Sequence, residues 1–171
     1  KKSIIAFISL ITLCIEPLMA SAEFSFKKYQ VENGLSHNTT WCAIQDSYGF
    51  LWIGTSNGLN CYYGSGNKIY RNVLNDKYSL GNNFVSSLME EGEDLWIGTS
   101  SGLYIYDRSD DHFLYFDKTT KYGVFISCEV KKIVKTKNGL IWIATLGQGI
   151  FIYDPAKDVL NISSLGDYLR N

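Results

Sequence analysis

The chain of 171 residues is 46% hydrophobic, 19% charged and 15% aromatic, far from the composition of a disordered chain and long enough for one domain with a buried core. Lys and Arg total 16 against 17 Asp and Glu, a net charge of -1, so no charge excess drives binding to nucleic acid or anionic lipid. Two prolines against 15 glycines, 12 tyrosines and 9 phenylalanines are the balance of an all-β protein with many tight turns.

Lys1 and Lys2 form a basic start, Ile4 to Ile15 is an almost uninterrupted apolar run, and Ala20-Ser21-Ala22 supplies small residues before Glu23. This layout predicts a cleaved signal peptide over residues 1–22, a mature part over 23–171 and export. The apolar run is 12 residues long, short of the roughly 20 that span a bilayer, so no membrane span is predicted. Without Cys14, the mature part keeps Cys42, Cys61 and Cys128. Their odd number and wide spacing support no disulfide framework or zinc site and predict free, buried thiols. No cofactor or metal is expected.

Phe24 to Gln30 alternates like a strand but precedes any partner of its own. A repeat then begins. Leu51-Trp52-Ile53-Gly54-Thr55-Ser56-Asn57-Gly58-Leu59 returns as Leu95-Trp96-Ile97-Gly98-Thr99-Ser100-Ser101-Gly102-Leu103, and in looser form around Trp142, Ala144 and Gly149. The tryptophans are 44 and 46 residues apart. The second period contains four strand-like stretches, Phe84 to Met89, Leu95 to Thr99, Leu103 to Tyr106 and His112 to Phe116, separated by polar turns. Four antiparallel strands in such a period match one β-propeller blade. Blades are predicted over residues 38–71, 83–116 and 127–162, about three blades of an incomplete β-propeller. Residues 24–30 would be the outer strand of the blade that closes it.

Within the motif, Trp52 and Gly54 share one strand face, so a large ring lies beside a position without a side chain, where a neighbouring blade can approach. The third copy departs from the pattern, with Ala144 for glycine and an extra residue between Ile133 and Trp142, so blade three is read as imperfect.

The L-W-I-G-T-x-x-G-L motif, the leading Ile44 to Phe50 and the entry segment Tyr29 to Asn38 resemble the two-component-regulator propeller repeat. The resemblance implies the periplasmic sensor region of a hybrid two-component system of Bacteroides-like bacteria. In that family, two seven-bladed propellers precede a small β-domain, a membrane span, a histidine kinase, a receiver and a DNA-binding domain, and the usual signals are oligosaccharides, which implies that the three blades here are part of a seven-bladed ring. It implies that this chain is the N-terminal part of a longer sensor. The expected partners are an oligosaccharide and either the remainder of that sensor or further copies of the chain.

Propeller ligands meet the loops that enter the inner strands, here Gln30 to His37, Asn72 to Asn82 and Asp117 to Ile126. Tyr78 and Tyr122 recur 44 residues apart in them, and Asn38 and Asn83 start the inner strands. Aromatic faces with amide donors suit a sugar, although Asn and Tyr are also ordinary turn and packing residues. The acidic pairs Glu90-Glu91, Glu93-Asp94 and Asp110-Asp111 fall in predicted turns, and no nucleophile or phosphate-loop motif is present. The chain is therefore not expected to be an enzyme. A protein-interaction platform is the alternative reading.

Overall fold

The computed structural model describes residues 26–64 and 66–163. Twelve strands form three four-stranded antiparallel sheets, each ordered as in sequence. Blade one holds β1 (Thr40–Gln45), β2 (Leu51–Thr55), β3 (Gly58–Tyr63) and β4 (Gly66–Tyr70). Blade two holds β5 (Val85–Glu91), β6 (Asp94–Thr99), β7 (Gly102–Asp107) and β8 (His112–Tyr115). Blade three holds β9 (Val130–Lys135), β10 (Ile141–Thr145), β11 (Ile150–Asp154) and β12 (Val159–Ser163). β1, β5 and β9 pack side by side as the inner strands. The predicted signal peptide lies outside the described residues.

Each repeat folds alike because its alternation is strand alternation and its glycines turn the chain. Gly58 and Gly102 open β3 and β7 at φ of 128° and 124°, where any side chain would be strained. The motif strands are covered on both faces in blades one and two, with Trp52 only 1% and Trp96 5% exposed. In β10, Ile141 and Ile143 are buried while Trp142 and Ala144 are half-buried.

The core lies between blades rather than within them. One cluster joins Trp52, Leu59 and Cys61 of blade one to Val85, Leu88 and Tyr106 of blade two. The other joins Met89, Trp96 and Leu103 of blade two to Val130, Ile133 and Phe151 of blade three. Burying these side chains stabilises the array by roughly 1.5 to 3 kcal/mol for each large residue fully removed from water.

Two details differ from the sequence reading, the burial of the thiols and the length of one inner hairpin. Residues 26–30 form no strand among the described residues. Their stabilising contact is Tyr29 against Tyr62, ring centroids 4.7 Å apart, a smaller repeat of the Tyr70–Tyr106 and Phe116–Tyr153 pairs between blades. Cys61 is buried, but Cys42 and Cys128 are only half-buried, all three being free. The inner hairpins of blades one and three share a five-residue loop, 46–50 and 136–140, so blade two is the one shortened. The same Gly49 N to Asp46 O and Gly139 N to Thr136 O bonds close both loops.

Candidate functional site

The four residues expected to meet a ligand are not gathered in one place. Asn38 Oδ1 accepts from Val31 N at 2.9 Å, and Asn83 Oδ1 accepts from Asn72 N at 2.6 Å. Both carbonyls tie down the loop that enters an inner strand. Tyr78 lies instead against the outermost strand of blade two: its carbonyl accepts from Phe113 N, and its ring stacks on His112 with centroids 4.2 Å apart. Tyr122 is 80% exposed in the equivalent loop, which bridges to the outer strand of blade three through Thr120 and Leu160. These loops blunt the outer edges of the sheets.

At the opposite end, between blades one and two, a cavity of about 410 Å³ is lined by Tyr48, Phe50, Trp52, Cys61, Tyr63, Lys68, Tyr70, Tyr106 and Arg108. Its wall follows from the motif. Trp52 stacks on Tyr70, with centroids 5.9 Å apart, and meets the Tyr106 edge at 5.1 Å. Tyr48, Phe50 and Tyr63 form its open rim, with Phe50 6.0 Å from Tyr63 and 6.5 Å from Tyr48. Sequence reading assigned these rim rings no role, because they fall in a turn and at a strand end where aromatic residues carry no periodic signal.

A buried carboxylate holds the cavity together. Asp46 Oδ2 accepts from Trp52 Nε1 at 2.7 Å and from Arg108 Nη1 at 2.8 Å. Its Oδ1 accepts from Phe50 N at 2.8 Å and Tyr48 N at 3.1 Å. Burial works to raise the Asp46 carboxyl, but the bonds from Trp52, Arg108 and Phe50 outweigh it and hold the group below the usual carboxylate range. Arg108 also reaches Glu90 at 3.4 Å and lies over the Tyr48 ring, 4.6 Å from its centroid. Glu90 in turn accepts from Ser47 N at 2.9 Å and from Ser47 Oγ at 2.7 Å.

Asp111 makes the second polar knot. It accepts from Tyr70 and Tyr106 hydroxyls, each at 2.7 Å, and pairs with Lys68. Burial raises Asp111, and the donors from Lys68, Tyr106 and Tyr70 overcome it and lower the carboxyl. Burial pushes the Tyr106 phenol up to about 12 and the Cys61 thiol up to about 11. The acidic pairs read as solvated turns are corrected here: Glu90 and Glu91 lie in β5, and Glu90 and Asp111 bind protein donors. Carboxylates so engaged are fixed ion-pair partners rather than poised acids or bases. The cavity can therefore offer ring faces and phenol edges to a ligand.

Two stretches of the chain, residues 34–57 and 79–101, match the family described as two component regulator propeller. Over 68 residues the chain is 38% identical to histidine kinase P4 of Formosa agariphila, covering 40% of this chain and 5% of that protein. Its fold is similar to the extracellular domain of the hybrid two component system BT3049 from B. thetaiotaomicron, with a TM-score of 0.71 and 23% identity over 82% of this chain and 20% of that one. It is also similar to the extracellular domain of the one component system BT4673 from the same organism, with a TM-score of 0.67 and 23% identity over 83% of this chain and 21% of that one. The chain thus spans about a fifth of those structures and far less of the kinase. The two matched stretches run through the inner strands of blades one and two, within a fold of propeller blades. No helix among the described residues is long and apolar enough to cross a membrane.

Proposed function

From a chain that carries these repeats, we infer part of a sensor: blades of an exported propeller that recognises an oligosaccharide outside the cytoplasm and belongs to a larger two-component regulator. The extracellular placement named for the two similar structures supports export. The observation that carries the ligand reading is the cavity between blades one and two, with the Tyr48, Phe50 and Tyr63 rings at its mouth. Exposed rings stack on the apolar faces of sugars, and phenol edges bond their hydroxyls. The loop residues Asn38, Asn83, Tyr78 and Tyr122 are a second contact set for the same class of ligand. Residues 26–30 extend the outer edge of a preceding blade in the closed ring.

Calorimetric titration against a panel of neutral and acidic oligosaccharides tests this. One glycan should bind, and Phe50→Ala with Tyr63→Ala should weaken it at least tenfold, while Tyr122→Ala leaves it within threefold. Binding that survives the rim substitutions and is lost in Tyr122→Ala would move the site to the loops. A panel without a binder would remove the saccharide reading.

A further inference from the structure

Two cations stand on the wall of the cavity between blades one and two, Lys68 and Arg108, and each is already answered by a carboxylate. Arg108 donates from Nε to the Glu93 carbonyl at 2.8 Å, from Nη1 to Asp46 and from Nη2 to Glu90. The Asp46 side chain is wholly buried, so a ligand that drew Arg108 away would leave a buried charge without its ion-pair partner. Arg108 is committed to the protein.

Lys68 is the more open of the two, with 45% of its side chain exposed against 17% for Arg108. Its ammonium lies 4.7 Å from the Tyr70 centroid and pairs with Asp111 across the blade boundary. Strand register sets Lys68 opposite Cys61, and the matching residue of blade two, opposite Ile105, is Leu114. Of the two interfaces, only the first has a cation at this place.

Asp111 is held by its backbone and by its partners. Its φ of 59° is left-handed, and its Oδ1 accepts from the Tyr70 and Tyr106 hydroxyls. Asp158 of blade three repeats the arrangement: its φ is 53°, its Oδ1 accepts from Tyr153 Oη at 2.6 Å, and its Oδ2 pairs with Lys118. There the lysine comes from the segment between β8 and β9, whereas Lys68 comes from β4 and stands on the cavity wall. Both aspartates anchor a tyrosine, and Asp111 also cancels a cation that a ligand would meet. A sugar carboxylate reaching Lys68 would have the fixed Asp111 carboxylate beside it, and like charges so placed are costly. The hydroxyls and apolar face of a neutral sugar need no counter-charge.

We propose that the cavity selects an uncharged saccharide over a uronate, and that Asp111 sets this selectivity by masking the Lys68 ammonium. This rests on the cavity being the saccharide site, and adds the charge class of the sugar and the residue that decides it.

The test is calorimetric titration of neutral glycans, each in its native form and after selective oxidation of its C6 primary hydroxyls to carboxylates. Wild type should bind a native glycan at least tenfold more tightly than its oxidised form. Asp111→Asn should shift that ratio toward the oxidised form at least tenfold: asparagine tolerates the positive φ and its carbonyl still accepts from both phenols, while Lys68 loses its counter-charge. Asp111→Gly, which suits the same backbone, should shift it in the same direction. Adding Lys68→Gln to either variant should cancel the shift, which a merely loosened fold would not do, and circular dichroism verifies that each variant is folded. Wild-type binding of the oxidised form as tight as the native one, or an unchanged ratio in the Asp111 variants, would overturn the selectivity and leave the saccharide site standing. Binding of no glycan in either form would overturn the saccharide reading and this proposal with it.

Discussion

The interface between blades one and two and the interface between blades two and three share their apolar part and differ in their polar part. Each buries a motif tryptophan under two rings, Tyr70 and Tyr106 over Trp52, and Phe116 and Tyr153 over Trp96. In the first, the Trp52 indole donates to Asp46, Asp46 pairs with Arg108, and the Tyr70 and Tyr106 hydroxyls lie 3.0 Å apart. In the second, phenylalanine replaces Tyr70 and the buried Trp96 Nε1 has no hydrogen-bond partner among the described residues. The cause is local. The tight turn from β5 to β6 omits the five-residue loop that carries Asp46, and Pro155 stands where register would place the counterpart of Arg108. Ring packing is what the blade geometry enforces, while polar closure depends on hairpin length.

The largest effects should come from the rings themselves. Trp52→Ala and Trp96→Ala should each cost about 3 to 5 kcal/mol in urea unfolding, since both empty a buried ring volume. Tyr122→Ala should stay within about 0.5 kcal/mol, as expected of an exposed side chain. The comparison sharpens in the phenylalanine variants. Trp52→Phe should be the costlier by about 1 to 3 kcal/mol, because it strips a donor from a buried carboxylate, whereas Trp96→Phe removes an indole N–H with no hydrogen-bond partner among the described residues. Equal costs would show that the two interfaces are energetically alike.

Acid should open the first interface before the second. The Asp46 carboxyl is depressed in the folded protein, so its contribution is complete above the unfolded value of about 3.9 and is lost as pH falls through the folded value. Asp46→Asn should lower stability at pH 7 and flatten the acid limb below about pH 4. A variant with an unchanged acid limb would show that other carboxylates dominate it. Among the interface substitutions the smallest effect expected is Tyr70→Phe, about 1 to 1.5 kcal/mol for its lost hydroxyl contacts, since Phe116 already packs without a hydroxyl at the matching place in the second interface. A cost near zero would mean that the hydroxyl network adds nothing beyond the rings.

The strands, their order within each blade and the close approach at Gly54 and Gly98 were legible in the sequence, because a strand's alternation and a turn's glycine are local signals that the repeat states more than once. The sequence also gave away blade three's anomaly at Ala144, but attributed its longer hairpin to an insertion when blade two is the short one. The candidate site was not legible. Asn38, Asn83, Tyr78 and Tyr122 repeat in sequence, and in the structure the two amides tie loops, Tyr78 lies against an outer strand and Tyr122 stays exposed. The aromatic cavity draws Tyr48 and Phe50 from one hairpin, Tyr63 from another and Arg108 from the next blade.

Length, composition and periodicity by themselves determined an all-β array of propeller blades, because those properties need only neighbouring residues along the chain. Tertiary structure alone decided which polar groups meet. Asp46 and Arg108 are 62 residues apart; the counterpart of Asp46 in blade three is Thr136, and those of Arg108 are Gly64 and Pro155. Their contact exists because curvature about the inner strands brings one blade's hairpin loop against the next blade's outer turn, and a buried charge can persist there only with its partner in reach.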